Sequence, residues 1–289
     1  MSQTSVGCLY LLTSSVVLLI DVVLLSTLHS VKEYSKGSYT VIKHLCLADT
    51  FQAVVFVIGG AMTVAHSGTF PAVFEKICGS LIISSWFLHV ALSTTLAIDR
   101  LLIFIIGPRR KLYIKIKNMM ISTSWLIFAL YFIGFLSPFL NFGYSGTGSH
   151  LVWYYESDLG SQIAAKAEWF IDLSTIIFSL LLYLATAGYI LKIRVTITNA
   201  TFNKAESIIL KISFSAFFYE MCFTSWYFFG MHVLNDERTY FVISNMLWIL
   251  ECALTSTMTF LMNRQLRKDA RNMLRIKRFG SNVVSFNVK

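Results

Sequence analysis

Leu96-Ala97-Ile98-Asp99-Arg100-Leu101-Leu102 decides how this chain folds. The stretch closes a long apolar run that opens near Cys78. An ionised Asp-Arg pair at the end of a hydrophobic helix belongs where bilayer gives way to water. Arg100 cannot shed its charge, so it must face an interface, a partner carboxylate or a cavity. A plain stop signal at the cytoplasmic border would also account for the pair. Working outward, however, the same alternation of apolar run and polar border repeats along the chain, with seven runs in all.

Composition agrees. The chain is 56% hydrophobic and 13% charged, whereas soluble domains carry about 25% charged residues. Each run is roughly 20 residues or more, enough for a helix to cross about 30 Å of hydrocarbon. Backbone groups in lipid must bond internally, and the period-two alternation of a membrane barrel is missing, so the runs read as helices. The expected spans are 6–29, 42–65, 75–106, 118–140, 168–191, 207–234 and 240–262. They make residues 1–262 one all-α membrane domain, a seven-transmembrane helix bundle. Residues 263–289 are expected to form a basic amphipathic helix on the membrane surface, edged by Leu266, Ala270, Leu274 and Ile276, then a short cytoplasmic tail. Val6 to His29 lacks a basic leader and an Ala-x-Ala site, so it is expected to be a retained helix with no folded ectodomain ahead of it. The polar stretch Asn141 to Ala165 reads as an outer loop.

Charge placement sets an expected orientation. All but three of the 24 Lys and Arg lie in the first, third and fifth loops, the adjoining helix ends and the tail; the exceptions are Lys76, Lys166 and Arg238. Basic loops stay cytoplasmic, which puts the N-terminus outside and the C-terminus inside. The net charge of +9 is then a topology signal with some attraction to anionic inner lipids, and no nucleic-acid partner is expected. The sequon Asn199-Ala200-Thr201 falls on the inner side and should be unused. Cys8, Cys46, Cys78, Cys222 and Cys252 have no metal-ligand spacing and read as small buried hydrophobes.

Five carboxylates sit inside spans: Asp21, Asp49, Asp172, Glu220 and Glu251. Each would cost about 2.5–3.5 kcal/mol at the centre of a lipid-exposed helix, so they should face the bundle interior. Polar glue between helices is one explanation, and a functional cluster is the other. Trp86, His89, Ser93 and Arg100 share one helical face of the third span. A ring, an imidazole, a hydroxyl and a guanidinium in one stripe point to a wet, two-state interior.

These residues resemble those of rhodopsin-like G-protein-coupled receptors. Asp99-Arg100-Leu101 is similar to that family's Asp/Glu-Arg-Tyr motif, with Leu for Tyr. Leu47-Ala48-Asp49 is similar to its helix-two acid region, Asp21 stands at the helix-one Asn, and Trp125 at the helix-four Trp. Asn263-Arg264-Gln265-Leu266-Arg267 is similar to the start of its membrane-surface helix. The departures are as informative. The helix-seven Asn-Pro-x-x-Tyr is replaced by Thr255-Ser256-Thr257-Met258-Thr259, spans five to seven contain no proline, and the outer loop has no cysteine for the usual disulfide. Trp169-Phe170-x-Asp172-Leu173 and Lys204-Ala205-Glu206 resemble the nematode serpentine chemoreceptors, closest to the class called Srx.

The resemblance implies a chemosensory receptor. A small molecule enters an outward-facing pocket, with Ile82, Trp86, Trp169, Asp172, Trp226 and Trp248 as candidates. Trp169 and Trp248 could equally be interface anchors. A heterotrimeric G protein meets the inner face, where Asp99, Arg100 and Glu206 would form a latch. Asp21, Asp49, His89 and Glu251 would form a core polar cluster, which could be a passive network, share a proton or hold sodium at Asp49. No cofactor is expected. The implied location is the plasma membrane, that of sensory cilia included.

Rival classes fit less well. A retinal protein needs a Lys in the seventh span, which has none. A transporter would show inverted repeats and broken helices. A seven-span ligand-gated channel remains the alternative; the insect odorant type has the opposite topology, so a reporter on the C-terminus separates the two. No metal-ligand spacing, Gly-x-Ser-x-Gly elbow or Walker loop supports an enzyme.

Overall fold

A computed structural model describes residues 2–35, 37–65, 71–107, 110–145, 151–196, 204–234 and 236–283, excepting the side chains of 35, 193–196, 204–206 and 275–283. Among the described residues, seven helices are long and apolar enough to cross a membrane. They are α1 (Gln3–Ser30), α2 (Tyr39–Val64), α3 (Ala72–Ile105), α4 (Lys111–Leu136), α5 (Leu159–Thr196), α6 (Lys204–Phe229) and α7 (Glu237–Met262). An amphipathic α8 (Arg264–Val283) follows. A small antiparallel hairpin, β1 (Phe142–Tyr144) with β2 (Trp153–Tyr155), lies between α4 and α5, with Gly143 opposite Tyr154.

Capping explains several helix starts. Ser2 accepts the Ser5 N–H at the head of α1. Asp236 caps α7 by accepting the Arg238 N–H at 3.3 Å. Asp158 accepts the Ser161 N–H at 3.0 Å and its hydroxyl at 2.7 Å. Those bonds, the backbone one first, hold the Asp158 carboxyl below the usual carboxylate range. Such a carboxylate supplies the missing acceptor at a helix N-terminus. It therefore starts α5 at Leu159 instead of Glu168, and the expected outer loop is divided between the hairpin and the first turns of α5. On the other side, α4 begins at Lys111 instead of Asn118, because Lys111, Lys115 and Lys117 are good helix formers and continue it beyond the apolar run. Lys204-Ala205-Glu206 lies within the first turn of α6, not before it.

Burial ranks the helices. In its most apolar stretch α3 is 72% buried, against 17% for α4. The central α3 packs on α2, α4, α5 and α6, while α1 packs on α2 and α7. Large apolar side chains such as Leu130, Ile133, Leu181 and Leu184 are exposed on the outer helices. A bundle whose outside is apolar and whose inside carries its acids fits a lipid solvent. Without proline, α5, α6 and α7 run unbroken across their spans.

The hairpin is tied down without a disulfide; all five cysteines are free, and of those expected to be buried Cys8 and Cys222 are exposed. At the head of α3, Glu75 Oε1 accepts the Tyr144 N–H at 2.8 Å, and Lys76 Nζ donates to the Leu140 carbonyl at 2.5 Å and to Asn141. Gly79 lets the hairpin approach, since a Cβ there would meet the Phe142 carbonyl oxygen at 1.7 Å. At the other end, Asn263 joins α7 to α8: its Oδ1 accepts the Leu266 N–H at 3.1 Å and its Nδ2 donates to the Tyr39 hydroxyl at 2.7 Å. Arg267 donates to the Phe260 carbonyl, a cation on the negative end of α7. Leu266 and Ala270, expected to face lipid, are buried against the bundle; Leu274 is exposed. The Ile276 and Glu206 side chains and the Asn199 sequon lie outside the described residues.

Candidate functional site: a polar seam along helix three

Three polar groups line the core around α3. The first centres on Arg100, which is fully buried. Its Nη2 meets Asp99 Oδ2 at 2.5 Å. Asp99 also accepts the Ser38 hydroxyl at 2.6 Å and the Tyr113 hydroxyl at 2.6 Å. Ser38 immediately precedes α2 and Tyr113 lies in the first turn of α4, so one carboxylate holds three helices together. Close by, Lys117 donates to the Gly37 carbonyl at 2.9 Å. Charge-assisted bonds of this kind are among the strong ones.

The middle group centres on His89. Its Nδ1 is 2.6 Å from Asp49 and its Nε2 is 3.1 Å from Glu251. The imidazole thus bridges α2 and α7 from α3. Asp21 stands beside this bridge, accepting the Ser256 hydroxyl at 2.5 Å, with Cys46 Sγ 3.3 Å from the same hydroxyl. The hydroxyl run Thr255-Ser256-Thr257 thereby supplies a donor to the helix-one acid. Ser93 donates to Glu220 at 2.6 Å. Ligand atoms of His89, Glu220 and Glu251 lie within 4.8 Å of one another, all buried, so this trio could hold a metal ion. Imidazole with carboxylates suits a borderline divalent ion better than sodium. Asp49 keeps Oδ2 without a protein hydrogen-bond partner among the described residues.

The third group is a narrow cleft with about 10 Å³ of open space, room for about one water, lined by Trp86, Glu168, Asp172, Phe223, Thr224, Tyr227 and Trp248. The Trp86 ring stacks on His89 at 5.8 Å and 2°, so floor and bridge are in contact. Trp86 Nε1 donates to Asp172 Oδ2 at 3.2 Å, and Trp248 Nε1 donates to Gln52 at 2.7 Å. Trp86 meets both Phe223 and Trp248 edge to face.

Of the six sequence-derived pocket candidates, Trp86, Asp172 and Trp248 line the cleft. Ile82 is buried in the apolar core instead. Trp169 turns to Phe170 and Phe228, and Trp226 bonds the Ser244 hydroxyl at 3.1 Å. Neither lines the cleft, because each lies on a helix face turned away from it. Asp99 and Arg100 pair; the third member of the expected latch, Glu206, has no described side chain. Asp21, Asp49, His89 and Glu251 do come together. Sequence reasoning missed Ser38 and Tyr113, which show no signal of their own. It also missed Glu168, which stands four residues before Asp172 and so on the same helical face once α5 starts at Leu159.

The fold and this seam define a rhodopsin-like seven-helix membrane protein. The chain belongs to the family described as serpentine type 7TM GPCR chemoreceptor Srt, whose model matches residues 1–283. The serpentine chemoreceptor resemblance thus holds, with Srt in the place of Srx as the matching class. Squid rhodopsin is similar in structure, with a TM-score of 0.77 over 94% of this chain and 85% of that one, at 10% identity. At that identity the likeness is one of fold. No curated protein matches the chain by sequence.

Proposed function

We propose that this chain is a chemosensory receptor of the plasma membrane. A small molecule binds in the cleft between α3, α5, α6 and α7, and a heterotrimeric G protein couples at the opposite end. The N-terminus lies outside and α8 in the cytosol, as the basic loops require. The observation that carries this reading is the fully buried Arg100–Asp99 pair. Burying a guanidinium is costly unless it is paired, and a pair that can exchange partners is a bistable element. In the resting receptor Asp99 holds Arg100, with Ser38 and Tyr113 fixing the carboxylate. Ligand binding against Trp86 would shift His89 and the inner half of α3, and the favoured packing would release Arg100 toward the G protein.

Expression with a promiscuous G protein and a screen of volatile and water-soluble small molecules tests the reading. A responding ligand whose signal is lost in Arg100→Ala supports it; a signal that survives contradicts it. Extracellular labelling of the C-terminus would overturn the orientation and favour a channel.

A shared proton or a sodium ion at Asp49 is the second element of the proposal. The bridge Asp49–His89–Glu251 joins three helices that must move relative to one another. A triple variant, Asp49→Asn, His89→Gln and Glu251→Gln, should lose the dependence of signalling on pH or sodium. An unchanged dependence removes the switch.

A further inference from the structure

We propose that the outer cleft is a cation site, taking a small organic ammonium ion between two carboxylates of α5 and an aromatic wall. The proposal rests on the reading of this cleft as the ligand pocket and names the chemistry it selects.

Two acids line the cleft on one face of α5, Glu168 and Asp172, only 5% and 3% exposed. Asp172 uses Oδ2 on the Trp86 indole, while Oδ1 has no protein hydrogen-bond partner among the described residues. Neither acid is ion-paired among those residues. The neighbouring cations are committed elsewhere. His89 stands between Asp49 and Glu251, and Lys76 is held by Leu140 and Asn141 at the head of α3. Deeper in the bundle, Glu220 and Glu251 add two further buried carboxyl groups and no cation. A buried carboxylate with a free oxygen needs a cation or a proton.

The walls decide which cation. Trp86, Phe223 and Trp248 stand with ring centroids 5.6 to 6.5 Å apart, and Tyr227 flanks Phe223 at 6.1 Å. Rings around a charge favour alkylammonium groups through cation–π attraction. A small hard metal ion wants a shell of oxygens, which this wall does not offer. The cleft holds about 10 Å³ of open space, room for about one water, so an ammonium ion of this kind enters only when the aromatic wall parts. A neutral odorant of the same shape would leave the Asp172 oxygen unsatisfied.

The test uses the full chain in lipid nanodiscs and follows its thermal midpoint. Two charged probes, choline and isopentylamine, are compared with neutral isosteres, the analogue of choline with carbon in place of nitrogen, and isopentanol. At saturation at least one ammonium should raise the midpoint by a few degrees and its isostere should not. Asp172→Asn keeps the shape and the Trp86 bond, and should weaken the ammonium about tenfold or more. E168Q should weaken it less. Equal shifts from a charged probe and its isostere, no shift from either charged probe, or an unchanged ammonium titration in Asp172→Asn would overturn the proposal. The ligand comparison needs no variant to fold. The two readings fail separately: if a neutral molecule activates a G protein, Thr224→Trp blocks it, and neither ammonium shifts the wild type, the cleft remains the ligand pocket and the cation inference falls.

Discussion

The two ends of the polar seam treat their buried acids, Asp99 on α3 and Asp172 on α5, in opposite ways. At the inner end Asp99 has an arginine and two hydroxyls on its oxygens, so its charge is compensated and its position fixed. At the outer end Asp172 has one indole N–H and an oxygen with no protein partner among the described residues. One acid is satisfied within the chain, while the other keeps an oxygen without a protein partner among the described residues. A protein that responds to a small molecule needs that difference. A saturated outer site would gain nothing from a ligand, and an unsaturated inner site would not hold a resting state.

The comparison can be broken in order of effect. Removing the inner cation should cost most: Arg100→Met leaves Asp99 buried and uncompensated, for a loss of about 3–5 kcal/mol in unfolding free energy. The same melting experiment on Asp172→Asn should show no loss, and a comparable drop would erase the contrast. Next comes Tyr113→Phe, which removes one hydroxyl from the charged Asp99 and should cost about 1.5–3 kcal/mol. A wild-type melting curve would make the tyrosine a bystander. Gly79→Ala pushes a methyl into the Phe142 carbonyl and should cost about 1–3 kcal/mol by overpacking. Faster proteolysis in residues 142–155 would locate the damage in the hairpin. Smallest is Trp248→Phe, which keeps the ring but loses the bond to Gln52, at about 1 kcal/mol.

Much of this could be read from the residues alone. Apolar runs and charge placement carry the seven helices, because lipid forces backbone groups to bond within a segment. The acids of the seam were legible for the same reason: a carboxylate inside an apolar run must face inward. Partners were harder. Ser38 lies just before α2 and Tyr113 in the first turn of α4, and nothing local to either announces that both reach Asp99. Glu168 was hidden by the helix start, since a cap at Asp158 outranks the polar character of the turns that follow. Trp169 and Trp226 show the limit of residue type: the right side chain on the wrong face serves packing, and only the rotation of the helix tells them from Trp86 and Trp248.

The central claim is that the Arg100–Asp99 pair holds the inner face at rest. Its most direct test is basal nucleotide exchange on a G protein by receptor in nanodiscs, wild type against Asp99→Asn. Loss of the carboxylate charge frees the guanidinium, so the account predicts higher exchange without ligand, reversed by adding Arg100→Ala. Basal exchange equal to wild type in a folded Asp99→Asn receptor that still responds to agonist would contradict it.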